Sequence, residues 1–251
     1  KRLFSRPELV RDLIVGFVPD PWLHQLDFST LEKSPTERTT DDLRHRANDI
    51  VWRVKVKDQW LYFYLMIEFQ SKVEHFMIIR VLAYVMLLYQ DLIDAGEIKQ
   101  GSPLPPVLPI VLYNGKPAWN APLRLADLLP EVPPSLHRYL PQMEYLLVEE
   151  RVIAKAGLSD SDNLVAAVIR LEYPKDQAEI RHVFSLLVNL LDQDSGLQHV
   201  FSIWIRSLFL RNFPEKIGLQ NLRRLRLHHL QHREEQANHC PPRLLLLHHL
   251  K

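Results

Sequence analysis

Two carboxylates stand where β-strands normally avoid charge. Asp49 lies just ahead of Ile50-Val51-Trp52-Arg53-Val54-Lys55-Val56, and Glu68 lies near the end of the run from Trp60 to Phe69. Both runs are rich in β-branched and aromatic residues, and polar Lys57-Asp58 separates them, as in a hairpin. With that dipeptide at the tip, residues whose numbers sum to 115 face one another. Ile50, Trp52 and Val54 then meet Leu65, Phe63 and Leu61 on one apolar face. The other face gathers Asp49, Val51, Arg53 and Lys55 with Tyr62, Tyr64, Met66 and Glu68. A slip of one residue would mix the faces and drive charge into the core. Asp49 opposes Met66 and sits diagonal to Glu68, about 7–8 Å away at the backbone, so both side chains can reach one cation. Gln70 joins that side if the strand continues. A hard divalent cation held this way polarises a phosphodiester and activates water near neutral pH. The other reading of the pattern is a capping Asp49 at a strand entrance and a solvated Glu68 at a strand end.

These residues need a scaffold. Pro7 to Phe17 reads as a helix, with Ser5 near its N-cap and Pro7 in its first turn. Ser29 to Arg46 is polar and reads as a loop or frayed helix that closes over the site. From Phe76 to Tyr89 every residue is apolar or aromatic except Arg80, the mark of a helix buried all round. Its length of about 14 residues falls short of the roughly 20 a bilayer requires. Arg80 must find a partner there, because an unpaired buried charge is costly. That partner is either a structural carboxylate or, with Tyr84 one turn on, the site itself. Gly96 suits a helix C-cap. Pro103 to Pro106 is a stiff, extended approach to a strand at Val107–Leu112, and Asn114-Gly115 marks the turn after it. A short strand follows at Tyr145–Val148. Three helices complete the pattern, at Ser161–Leu171, Asp176–Leu191 and Leu197–Leu210, and they carry no catalytic signature.

Composition narrows the function classes. The 251-residue chain is 47% hydrophobic and 24% charged, ordinary for a globular protein. Its net charge of +1 means that any nucleic-acid contact comes from local patches. One cysteine, Cys240, excludes a disulfide framework and fits a reducing cytosol. No signal peptide or membrane span is apparent. Seven glycines against eighteen prolines leave no phosphate-cradling loop of the Walker or Rossmann kind.

Several blocks in order resemble one family. They are Leu31-Glu32-Lys33-Ser34, Asp42-Leu43-Arg44, Asp49, Glu68-Phe69-Gln70, Met77 with Arg80 and Tyr84, Tyr84 through Leu92, and Pro106 through Gly115. From about Leu3 to about Phe213 the chain is similar to the Rpn recombination-promoting nucleases, also called YhgA-like transposases. These belong to the PD-(D/E)XK, or restriction-endonuclease-like, group. The resemblance implies an α/β fold, a restriction-endonuclease-like mixed sheet flanked by helices with a C-terminal helical subdomain. It divides the chain into a nuclease core over 1–150, a helical extension over 151–215 and an atypical tail over 216–251. It implies a DNA endonuclease promoting recombination, in which Asp49 and Glu68 bind a divalent metal, Mg²⁺ first and Mn²⁺ or Ca²⁺ as alternatives. Gln70 occupies the usual lysine position; it can hydrogen-bond a water but brings no charge. Lys72 lies beyond the motif. Arg80 and Tyr84 support the carboxylates or contact phosphate. DNA is the implied partner and no membrane is involved; a homodimer stays open. The location implied is cytoplasmic, at the nucleoid when bound to DNA.

Both ends depart from the family pattern. The chain opens at Lys1, and the His-Asp pair expected just upstream of Leu3-Phe4 is absent. The last 24 residues hold His228, His229, His232, His239, His248 and His249, half of the twelve histidines. His228 and His232 have helical i, i+4 spacing, but regular zinc-ligand spacing is missing. A shifted reading frame or a degenerate C-terminus is the expectation, with a basic Leu-rich helix touching nucleic acid as the alternative. With the missing pair, the tail predicts an incomplete or decayed copy, so a non-catalytic relic binding DNA or a partner protein stands as the second hypothesis.

Overall fold

Lys57 is, among the described residues, the one non-glycine residue with a positive φ, 55°. It marks the hairpin tip. In the computed structural model β2 (Ile50–Val56) and β3 (Gln59–Glu68) run antiparallel on either side of it. Ile50 pairs with Leu65, Trp52 with Phe63 and Val54 with Leu61, the register that facial segregation requires. The structure describes residues 2–34, 50–68, 73–158, 162–192 and 194–212, with backbone alone at 66–68 and 209–212.

Five strands form one sheet in the order β1-β2-β3-β4-β5. The edge strand β1 (Leu26–Lys33) pairs antiparallel with β2. It corrects the expectation of a loop from Ser29. Its pairing shifts between Asp27 and Glu32, and Thr30 Oγ1 accepts the Lys55 amide at 2.9 Å inside the irregularity. An edge strand keeps one side unpaired, so it carries Asp27, Ser29, Thr30, Glu32 and Lys33 where an inner strand would be apolar. That polarity hides it from a periodicity reading. The remaining residues of the expected loop, 35–46, lie outside the described residues.

Beyond β3 the sheet turns parallel. β4 (Val107–Tyr113) pairs with β3, and β5 (Leu146–Glu149) with β4. Parallel neighbours need a crossover, and α2 (Met77–Asp94) supplies it between β3 and β4. Its Met77, Ile78, Val81, Val85, Leu88 and Leu92 pack with Tyr62, Tyr64 and Val111 of the sheet. Each such side chain, fully buried, contributes roughly 1.5–3 kcal/mol. The expectation of burial all round is corrected here. Phe76, Ile79, Met86, Leu87 and Ile93 are exposed, because a sheet covers only one side of a helix. The helix ends in a Schellman turn: Gly96, at φ 75°, donates to Ile93 O and Glu97 donates to Leu92 O.

The opposite sheet face presents Trp52, Phe63 and Ile110, all buried. Trp52 Nε1 donates to Phe4 O at 3.1 Å, fastening the 3-10 turn Leu3–Ser5 that precedes α1 (Pro7–Phe17). The α1 cap is Arg6, next to Ser5, whose hydroxyl donates to Arg2 O. Two further helices follow β5: α3 (Glu150–Ala156), unexpected from the sequence, and α4 (Leu164–Glu172). Asn163 caps α4 by accepting from Ala166 N and donates to Asp12 O, while Asp12 accepts from Leu164 N. That exchange joins α1 to α4. The chain divides into two units, residues 1–186 and 187–251. α5 (Gln177–Leu190) crosses that boundary, and α6 (Ser195–Asn212) lies in the second unit. All three expected C-terminal helices are present within a few residues.

Candidate functional site

The C-terminal rim of the parallel strands is where open α/β sheets bind their ligands. Glu68 is the last residue of β3, and its backbone is the register partner of Tyr113, the last residue of β4. Tyr113 in turn pairs with Glu149, the last residue of β5. Glu68 therefore ends β3 on the rim of the sheet. Asp49 directly precedes Ile50 but, like Gln70 and Lys72, lies outside the described residues. Its expected pairing with Met66 rests on the register alone.

Arg80 and Tyr84 are brought to this end of β3. The Tyr84 ring stacks on Tyr64 with centroids 6.1 Å apart at 28°, which sets the level of α2 against β3. Arg80 lies one helical turn earlier, about 5.4 Å toward the helix start. A strand rises about 3.3 Å per residue, so Arg80 stands near the level of Met66, one pleat from Glu68. Helical side chains lean toward the N-terminus, and that also points Arg80 toward the rim. Its Nη1 pairs with Glu74 Oε2 at 2.6 Å, and its guanidinium carbon lies 5.8 Å over the Tyr84 ring. The Arg80 side chain is 20% exposed, so this charge is shielded but not sealed from solvent. Glu74 was not foreseen. It precedes the helix and shares no i, i+4 relation with Arg80, so no periodic signal announces it.

Arg53 shares the same sheet face but is bound elsewhere. Its guanidinium pairs with Glu32 at 2.7 Å and Glu97 at 2.9 Å and lies 4.3 Å over the Trp60 ring. Burial pushes its pKa down, but hydrogen bonds with Tyr62, Glu32 and Glu97 outweigh that and raise it. At the far side of the rim, Tyr113, Trp119 and Tyr145 form an aromatic chain. The Trp119 indole meets Tyr113 edge-on at 4.8 Å and donates to Tyr145 Oη at 3.1 Å. Burial raises the phenol pKa of Tyr113 and moves that of Tyr145 to about 12, so neither ionises near neutrality.

A mixed five-stranded sheet with helices on both faces is consistent with an α/β restriction-endonuclease-like fold. The family follows from sequence comparison. Residues 1–200 match the family described as "Putative transposase, YhgA-like", and the chain belongs to that family. It is 26% identical over 247 residues to the inactive recombination-promoting nuclease-like protein RpnE of Escherichia coli strain K12, covering 95% of this chain and 81% of that protein. It is 34% identical over 116 residues to the recombination-promoting nuclease RpnA of the same strain, covering 45% of this chain and 38% of that one. The recombination-promoting nuclease RpnD of Escherichia coli O157:H7 is 29% identical over 115 residues, 46% of this chain and 43% of RpnD. No solved structure matches. No helix among the described residues is long and apolar enough to cross a membrane.

Proposed function

We propose that this chain is a metal-dependent DNA endonuclease that promotes recombination by hydrolysing phosphodiester bonds. The observation that supports it most is the position of Glu68 at the end of β3, with Arg80, one helical turn before the Tyr84 that stacks on Tyr64, set toward that end of the strand. Relatives named recombination-promoting nucleases point the same way. Carboxylate oxygens suit a hard cation, and Asp49 with Glu68 would hold Mg²⁺, or Mn²⁺ or Ca²⁺ in its place. Such a cation polarises a phosphodiester and lowers the pKa of a water. Gln70 orients the attacking water by hydrogen bonding. Arg80, steadied by Glu74 and Tyr84, stabilises negative charge on the phosphate or the carboxylates. The reaction takes place in the cytoplasm, with DNA as partner.

Nicking of plasmid DNA by the purified protein with Mg²⁺, Mn²⁺ or Ca²⁺ tests the reading. Wild type should nick, and the double variant Asp49→Ala with Glu68→Ala should not. Equal rates for the two would remove the enzymatic claim. A second reading draws on the match to an inactive nuclease-like protein over 95% of the chain: a relic that binds DNA or a partner protein without cutting. Metal-independent DNA binding without nicking, with affinity falling steeply with salt, would favour it.

A further inference from the structure

The outer side of α2 carries an apolar stripe along its whole length. Phe76, Ile79, Ala83, Met86, Gln90 and Ile93 follow one another at steps of three and four, and all six are exposed. Such steps keep residues on one side of a helix. The residues packed on the sheet, from Ile78 through Val81, Val85 and Leu88 to Leu92, hold the opposite side. With Leu87 beside the stripe, five large apolar side chains stand open to solvent. At roughly half exposure and about 200 Å² each they present about 500 Å² per copy, a patch that on a monomer marks an interaction surface. The segment 35–49 holds one large aliphatic residue, Leu43, and is too polar to serve as the cover.

Charge at the two ends of α2 selects the occupant. The last turn holds Asp91 and Asp94 and no base, and the first turn holds no acid. Neither suits the helix dipole, which favours acids at the start and bases at the end. A second α2 laid antiparallel along the first corrects this, because its positive N-terminus comes beside Asp91 and Asp94, and the reverse. Glu74, ahead of the first turn, is paired with Arg80, and Glu97, beyond the last, with Arg53. The stripe also matches its own reversal. With a two-fold axis between Tyr84 and Val85, Phe76 meets Ile93 of the second copy, Ile79 meets Gln90, and Ala83 meets Met86. At the ends His75 meets Asp94. The small Ala83 lets the helix axes approach to the usual 8–10 Å. The pair then buries about 1,000 Å², the least that a specific interface needs. A membrane surface fits less well, since helices that lie on one carry several Lys and Arg beside the apolar stripe. α2 has a single base, Arg80.

We propose that the outer face of α2 is a two-fold interface with a second copy of this chain, the two helices running antiparallel and crossing near Ala83 and Met86. Gln90 opposite Ile79 is the polar mismatch in an otherwise apolar seam. Burying its amide without a partner costs free energy, which keeps the association reversible. Any consequence for DNA cleavage rests on the nuclease reading; the pairing itself does not.

Sedimentation of the full-length protein over about 1–100 µM, the range for a weak dimer of this area, tests the pairing in wild type, Ala83→Glu and Gln90→Leu. Wild type should pass from monomer to dimer. Ala83→Glu puts an unpaired charge into the seam from each copy and should weaken the dimer at least about 100-fold. Gln90→Leu replaces the amide opposite Ile79 and should tighten it about tenfold. Both positions are exposed in the single chain, so circular dichroism should stay the same. If Ala83→Glu does not fold, Gln90→Leu decides. A wild type that stays monomeric, or a dimer that either variant leaves unchanged, overturns the proposal. Phospholipid vesicles supply a further arm: a monomer that binds them, and loses them in Ala83→Glu, would give the stripe to a membrane and overturn the pairing. Direction is read by cross-linking in a Cys240→Ser background. Ala83→Cys with Met86→Cys should oxidise to a covalent dimer, whereas no cross-link, or one in Ala83→Cys alone, overturns the antiparallel register.

Discussion

Arg53→Ala separates structural charge from functional charge on the sheet face that carries the candidate site. The Arg53 side chain is 12% exposed and ties three elements: Glu32 on β1, Tyr62 and Trp60 on β3, and Glu97 after α2. Glu32 and Glu97 are 50% and 37% exposed, so water screens both ion pairs and each contributes about 0.5–1 kcal/mol. The contact over Trp60 adds about 0.5–1 kcal/mol. Removal should therefore cost about 2 kcal/mol, short of the roughly 3–5 kcal/mol that stranding a buried partner charge costs, because both glutamates can rehydrate. In a unit of this size that lowers the thermal midpoint by about 4–8 °C. Urea unfolding gives the free energy, and calorimetric titration with Ca²⁺ gives the metal affinity. Arg53→Lys, with charge but no planar fork, should fall between wild type and alanine. The reasoning fails if Arg53→Ala is as stable as wild type. It fails differently if stability drops as expected but metal affinity drops too, for Arg53 would then belong to the site.

Gly96→Ala places a Cβ in a left-handed residue that meets nothing within 4 Å, so its cost is conformational alone. A loss of about 1 kcal/mol is expected, seen as a lower urea midpoint with unchanged slope; an unaltered midpoint would mean that the α2 terminus is not held by its Schellman turn. Glu179 predicts an acid-side dependence. Burial pushes its carboxyl up, but the Lys175 amide at 2.7 Å and Arg170 at 3.0 Å together hold the pKa below its ordinary value. A lowered folded-state pKa contributes stability that is present above the ordinary value of 4.5 and is lost as pH falls through the folded one. Unfolding free energy measured against pH should therefore slope less on the acid side in Glu179→Gln than in wild type, and parallel slopes would contradict the assignment.

The hairpin register was legible in the residues because its two faces differ so sharply in polarity that only one alignment keeps Arg53, Lys55 and Glu68 off the core face. The parallel strand after Pro106 and the C-terminal helices were legible for the same reason, strong local periodicity between clear breaks. β1 was not, since an edge strand satisfies half of its backbone with solvent and need not be apolar. The outer face of α2 misled in the opposite sense: an all-apolar helix reads as buried, yet it lies on a single sheet and has one side to spare.

The candidate site divides along the same line. Sequence alone led to the hairpin register that the structure shows, and from it to the expectation that Asp49, outside the described residues, shares a strand face with Glu68. It also singled out Arg80 as the exception within an apolar helix, with Tyr84 one turn on. Only the tertiary structure decided how α2 lies against β3, and so that Arg80 pairs with Glu74 near the level of the rim. Only it brought Glu172, at the end of α4, onto Asn114, which directly follows β4. Side-chain periods along one element are written in the chain. Contacts between elements depend on crossovers and packing levels that no local pattern encodes.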